Sequence, residues 1–344
     1  MKPIVLGLLL AGVRGLSEAD LGSVIHTDCV GDIRLESVIG KGRRTFVFKA
    51  HQEGDPAKSY AVKSNEVDQQ LAREAEVLSA LSTKNGFPKY FCTGRDFVVM
   101  ELLSNYKSLA AMHADSQSPP ISIEDIAIQA IDRLEAVHEA GFVHVDVHKR
   151  NIMVGLEGDD VGKVDLIDFG LAAKISEQEK PEFVNLYLSS IVEQRRQPLH
   201  PIDDIERLMY VLLHYGFGEL PWAPMVRMHD AIDQEQELTK EVAAVIISLE
   251  QRIHDLKLGL GTSDEEGYFD THTVPPGFRA ILQYVAEVRP LRSTQSFAID
   301  YNKLRSALRE TKAAVLPVRQ LRESNMRQHS PQGPSLLPII ESRK

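Results

Sequence analysis

Cysteine is scarce in this sequence, with only Cys29 and Cys92 among 344 residues. Two thiols cannot build a disulfide framework, so the fold must rest on a packed core. Cys92 lies in an apolar strand-like run and is expected as a buried thiol, not as a partner of Cys29. Basic residues are in deficit: 39 Lys and Arg stand against 49 Asp and Glu, a formal net charge of -10. That sign opposes steering toward phosphate backbones or anionic bilayers, so no nucleic-acid partner is expected, although a local basic groove stays open. Internal repeats are missing too. The apolar share of 43% and charged share of 26% exclude disorder or a fibre for most of the chain, and the length suffices for one large core or two lobes.

The apolar run from Ile4 to Val13 follows Met1-Lys2 and leads into Val13-Arg14-Gly15. It is too short to cross a bilayer, and no transmembrane segment is expected. The pattern fits a signal peptide over residues 1–15, which would send the protein into the secretory pathway or out of the cell. An apolar element packed on the domain of a cytoplasmic protein is the alternative.

Beyond the leader the pattern is strand-rich to about residue 100 and helix-rich afterwards, which predicts two lobes of unequal size. DIRLESVIG and RTFVFKA read as a hairpin around Gly40-Lys41-Gly42, and SYAVKS as a third strand. Asn65 to Leu81 reads as a helix with Leu71, Ala75, Leu78 and Leu81 on one face. FCTG and DFVVMELL form a further hairpin. Ser122-Ile123-Glu124-Asp125 has the form of a capping box opening a helix that stops at Gly141. IDDIERLMYVLLHYGFG is apolar on nearly every side and reads as a buried central helix. Leu238 to Leu258 is a long amphipathic helix, with a polar loop expected from Gly259 to Gly267. From Thr311 the prolines and arginines read as a disordered tail.

Several groups carry chemistry in this order along the chain. Gly40 and Gly42 between extended runs let backbone N–H groups approach phosphates, although a plain tight hairpin explains them equally. Lys63 ends the apolar strand Tyr60-Ala61-Val62, where it either snorkels outward or points to the covered side. Glu74 falls on the apolar face of its helix, where a carboxylate is costly unless paired; Lys63 is the economical partner. In HVDVHKRNIMV, Asp146 and, five residues later, Asn151 suit a base beside a metal-binding amide. Asp168 ends an apolar strand in LIDFG and supplies a second oxygen ligand for a hard cation. Each alone can be a turn-former or cap. A His144-x-Asp146-x-His148 iron or zinc site leaves Asn151 and Asp168 unexplained.

These motifs resemble the eukaryotic protein-kinase superfamily, and most closely its casein kinase one and vaccinia-related kinase group. The likeness runs from about Ile33 to Arg305. It implies an α+β, bilobal protein-kinase-like fold: a small antiparallel-sheet N-lobe with one main helix over residues 33–103, and a larger helical C-lobe over residues 104–310. Residues 16–32 form an N-terminal extension and 311–344 the tail. The resemblance further implies ATP and Mg²⁺ as cofactors, an unidentified protein substrate and a monomer. Gly40, Gly42, Val47, Ala61, Lys63, Met100, Glu101, Leu103 and Met153 would bind the nucleotide. Lys63, held by Glu74, would grip its phosphates, Asp146 would serve the acceptor hydroxyl, and Asn151 and Asp168 would hold the metal.

Three departures stand out. Val145 replaces the arginine that pairs with a phosphorylated activation segment, so regulation by that route is not expected. The stretch from Gly170 to Asp204 is shorter than that group's usual activation segment. His148 stands where serine/threonine kinases carry a lysine, with Lys149 and Arg150 following as other cations for the transferred phosphate. A histidine there also resembles small-molecule kinases of the aminoglycoside and choline type, and a pseudokinase acting as a binding module is the rival without turnover.

Overall fold

The computed structural model describes residues 15–42, 44–112, 121–235, 239–263, 267–272, 274–292 and 297–310. Residues 1–14 of the expected leader and the whole tail from 311 to 344 lie outside the described residues. Strand periodicity governs the first hundred positions. β1 (Val24–Thr27), β2 (Gly31–Lys41), β3 (Thr45–Gln52) and β4 (Asp55–Asn65) follow one another as antiparallel neighbours. After α1 (Asp68–Ala80), β5 (Tyr90–Thr93) and β6 (Phe97–Glu101) complete a sheet of order β1-β2-β3-β4-β6-β5. β1 comes from the stretch 16–32 and pairs with β2, Val24 opposite Arg34 and Thr27 opposite Gly31.

Alternation along the strands sorts side chains onto two faces. Tyr60 and Val62 of β4 join Ile33, Leu35, Phe48 and Val99 in one cluster. Ala61, with Val98 and Met100 of β6, packs instead with Leu71, Val77 and Leu78 of α1. Lys63 follows Ala61 by two and therefore faces α1.

The two cysteines correct the expectation of free thiols. Cys29 and Cys92 form a disulfide, with Cα atoms 5.9 Å apart. Cys29 sits in the turn between β1 and β2, and Cys92 on β5, at opposite ends of the strand order. The curl of the sheet brings these ends together, a contact 63 residues apart in sequence that no local pattern records.

The second lobe continues with β7 (Tyr106–Ser108), α2 (Leu109–Met112), α3 (Ile123–Glu139), β8 (Phe142–Val143), β9 (Ile152–Gly155), β10 (Val164–Leu166) and β11 (Ala173–Lys174). α4 (Ile191–Gln194), α5 (Pro201–Phe217), α6 (Ala223–Glu235), α7 (Lys240–Thr262), α8 (Tyr268–Thr271), α9 (Pro276–Val288) and α10 (Tyr301–Arg309) follow. β10-β9-β7 and β11-β8 are small separate sheets. Ser122 caps α3 by accepting a hydrogen bond from the Asp125 N–H at 3.0 Å. Gly141, with φ +91°, takes the chain out of that helix in a conformation that favours glycine.

α5 is buried along almost its whole length, with Pro201 in its first turn. The loop between β8 and β9 and the short helix α4 are both hydrogen-bonded to it. α7 corrects the expected loop after Leu258, because the helix runs on to Thr262. Leu260 is buried there, and a Cβ on Gly261 would stand 3.1 Å from the carbonyl of Leu282. Gly261 thus serves close packing on α9, and packing outweighs glycine's weak helix propensity there. The architecture is an antiparallel-sheet lobe with one main helix on a larger helical lobe, an α+β bilobal fold.

Candidate active site

Lys63 does not snorkel outward. It is 6% exposed, and its ammonium donates to Glu74 and, at 2.6 Å, to Oδ1 of Asp168. Glu74 is buried on α1, while 43% of the Asp168 side chain faces the cleft. Burial alone would strip the lysine's proton, but the Asp168 and Glu74 carboxylates more than offset that and raise its pKa. Burial likewise works against ionised Asp168, yet the Lys63 ammonium wins and holds the carboxyl below its usual range. Glu74 is pushed upward by its burial, against the pull of Lys63. One ammonium thus ties α1 to the loop after β10.

Asp146 and Asn151 meet on the loop between β8 and β9. The Asn151 amide donates to the Asp146 backbone carbonyl at 2.9 Å and to its Oδ2 at 3.3 Å. Both amide hydrogens point back into the loop, which leaves the amide oxygen as the group able to ligate. His148 Nε2 stands 3.5 Å from the same Oδ2, and His148 Nδ1 accepts from the Arg150 N–H at 3.2 Å. No ion pair joins Lys149 or Arg150 to Asp146 among the described residues, and Arg150 is exposed.

Two non-glycine residues adopt positive φ beside these groups, Val145 at 70° and Asp168 at 67°. For a β-branched valine that backbone is strained. Buried Asp204 on α5 compensates by accepting from the N–H groups of His144 at 2.7 Å and Val145 at 2.9 Å. Phe169 is fully buried, its ring 4.8 Å from that of His144 and 6.0 Å from that of Phe87. Apolar packing thereby fixes where Asp168 points.

The strand register assembles the nucleotide side. Gly40 pairs with Val47, Val47 with Lys63, and Ala61 with Met100. A Cβ on Gly40 would lie 3.3 Å from that of Val47, so glycine allows a close approach there. Half-buried Met153 comes from β9, paired with Asp165 of β10. The carbonyl of Leu103 accepts from the Tyr106 N–H at 3.2 Å, while its own N–H makes no backbone hydrogen bond among the described residues. Glu101 turns its carboxylate away to the Lys89 N–H, at 3.1 Å.

Residues 33–195 match the family described as "Protein kinase domain". That stretch, a little under half of the chain, is a protein kinase domain. Among similar proteins, a Caenorhabditis elegans protein named as a casein kinase I is 23% identical over 64% of this chain and 72% of its own length. A Dictyostelium discoideum protein named as a serine/threonine-protein kinase is 30% identical over 47% of this chain, a match that spans only 36% of its own length.

Sequence reasoning missed part of this candidate site. Arg207 of α5 approaches Asp146, its Nη1 4.0 Å from Oδ1, and donates to buried Glu193 of α4 at 2.8 Å. Arg73 of α1 donates to Glu179 of the segment after β11 at 3.0 Å. Charged residues inside a helix that otherwise reads as buried, as Arg207 does in α5, were the available signal.

Proposed function

We propose that this protein kinase transfers the γ-phosphate of ATP to serine or threonine hydroxyls of proteins with Mg²⁺, and without activation by phosphorylation of its activation segment. The observation that carries the reading is the convergence of Lys63, Glu74 and Asp168 beside the Asp146–Asn151 pair. The donor set suits the metal: Asp168 offers a partly exposed, ionised carboxylate, and Asn151 an amide oxygen, both hard ligands. Mg²⁺ held there would neutralise phosphate charge.

The chain's own residues do the rest. Lys63, oriented by Glu74, binds phosphate oxygens. The Leu103 N–H is free to receive the adenine edge, with Ala61, Val47 and Met153 about the base. Asp146 orients the acceptor hydroxyl and takes its proton, with His148 beside it at 3.5 Å from Oδ2, and one of His148, Lys149 and Arg150 stabilises charge on the transferred phosphate. Val145 offers no charge to an activation-segment phosphate, which supports independence from that modification. The names of the relatives favour a serine/threonine acceptor.

The Cys29–Cys92 disulfide and the N-terminal apolar run together support work in the secretory pathway, because disulfides persist in oxidising compartments. Sequencing the secreted chain's N-terminus tests this, and an intact Met1 would overturn it.

For activity, the test is radiolabelled ATP transfer to casein and to lysate proteins by wild type, Asp146→Asn and Asp168→Asn. Labelling by wild type alone is expected. Equal, negligible labelling by all three would overturn the enzymatic reading, and labelling of choline or aminoglycosides but no protein would reassign the acceptor.

A further inference from the structure

The residue before Asp146 carries no charge. The Val145 side chain packs with Val143, Ala173 and Leu199 in a small apolar cluster. The cation near Asp146 comes from elsewhere in the fold: Arg207, on the buried helix α5, is 3% exposed. Its guanidinium faces two carboxylates, Glu193 at 2.8 Å and Asp146 at 4.0 Å. Glu193 is itself fully buried and fixed by the Ser190 N–H at 2.7 Å, at the start of α4.

The neighbours of Asp146 divide its two oxygens. Oδ2 has the Asn151 amide at 3.3 Å and His148 at 3.5 Å, whereas Oδ1 has Arg207. A carboxylate held from one side only can rotate about its last torsion, which is broad for aspartate. A cation on the second oxygen narrows that rotation, and in a water-poor setting its attraction at 4 Å is not negligible. Because α5 also holds the backbone of His144 and Val145 through Asp204, one rigid helix supports both the main chain and the side chain of the loop.

We propose that Arg207 is a positioning residue for Asp146, supplying from α5 the cation that residue 145 lacks and tying the carboxylate to α4 through Glu193. The proposal rests on the role assigned above to Asp146. Arg207 touches neither reactant and acts through the orientation of Asp146, so its loss slows the transfer step and leaves nucleotide binding alone.

Arg207→Met alone leaves Glu193 buried and unpaired, so the informative variant is Arg207→Met with Glu193→Gln, which removes both charges and keeps similar volumes. The full chain is assayed for kcat and for KM of ATP, with thermal unfolding measured alongside. The expected result is a folded protein with KM for ATP within twofold of wild type and kcat down roughly ten- to hundredfold. Arg207→Lys, which retains the charge, is expected to recover a large part of kcat. A double variant with kcat within twofold of wild type overturns the proposal, as does a loss of kcat that only tracks the unfolded fraction, or Arg207→Lys no better than the double variant. If wild type and Asp146→Asn are equally inactive, the reading of the whole site fails and this proposal with it. An active wild type with an equally active double variant removes this proposal alone.

Discussion

Arg73 of α1 donates a hydrogen bond at 3.0 Å to Glu179, which also accepts from the Lys174 N–H at 3.0 Å. Lys174 in turn pairs with Glu76 of α1 at 2.9 Å. The helix that carries Glu74 is therefore fastened to the activation segment by a carboxylate encoded in the chain. Glu179→Gln is expected to lower kcat/KM for ATP roughly three- to tenfold, since a partly exposed pair contributes about 1 kcal/mol. Glu179→Asp is expected to fall between. Steady-state kinetics checks this, and unchanged kcat/KM in Glu179→Gln would show that α1 is held without the pair.

The disulfide closes a long loop, so its removal frees the unfolded chain. Cys29→Ser with Cys92→Ser is expected to lose about 2–4 kcal/mol of stability. Urea unfolding of the double variant under non-reducing conditions measures the loss directly. A midpoint equal to that of wild type would mean the sheet closes as well without the bond.

Lys257 of α7 is fully buried, donates to the Ser189 carbonyl at 2.7 Å and lies over the rings of Tyr210 and Trp222. Burial pulls its pKa down to about 7. Between that value and its ordinary 10.5 the unfolded state binds a proton that the folded state lacks, so this group makes stability rise with pH. Asp203, pushed up to about 8 by burial, contributes the opposite slope from its ordinary range to that value. Lys257→Met is therefore expected to remove a rise of up to ~1.4 kcal/mol per pH unit above pH 7, read as the difference from wild type in unfolding free energy between pH 7.5 and 9. Parallel curves for the two proteins would contradict the assignment.

His144 is fully buried, and both ring nitrogens lack a hydrogen-bond partner among the described residues. Burial pushes its pKa down, so the ring is neutral at physiological pH. His144→Phe keeps the aromatic contact with Phe169 and removes unsatisfied polar atoms. It is expected to stabilise by about 1 kcal/mol, with kinase activity retained. Calorimetry and a transfer assay check both halves, and a destabilised variant would reveal a partner for the ring.

Much of the site was readable because it is built from local patterns. The strand pattern put Lys63 at the end of an apolar run with its direction open, the helical period placed Glu74 on the apolar face of its helix, and the HVDVHKRN loop and the strand-ending LIDFG supplied Asp146, Asn151 and Asp168. Each of these signals lies within one element or its loop. The Lys63–Glu74 pair could be inferred because a buried carboxylate requires a cation and one lay close by in sequence.

Tertiary structure alone decided the remainder. Asp168 shares Lys63 with Glu74 across 105 residues, Arg207 reaches Asp146 from another helix, and Cys29 meets Cys92 across a curled sheet. None of these distances is encoded in a local period. They follow from how strand twist and helix packing fold distant segments together, so the sequence by itself determined the candidate groups Lys63, Glu74, Asp146, Asn151 and Asp168, and packing determined which charges stand beside them.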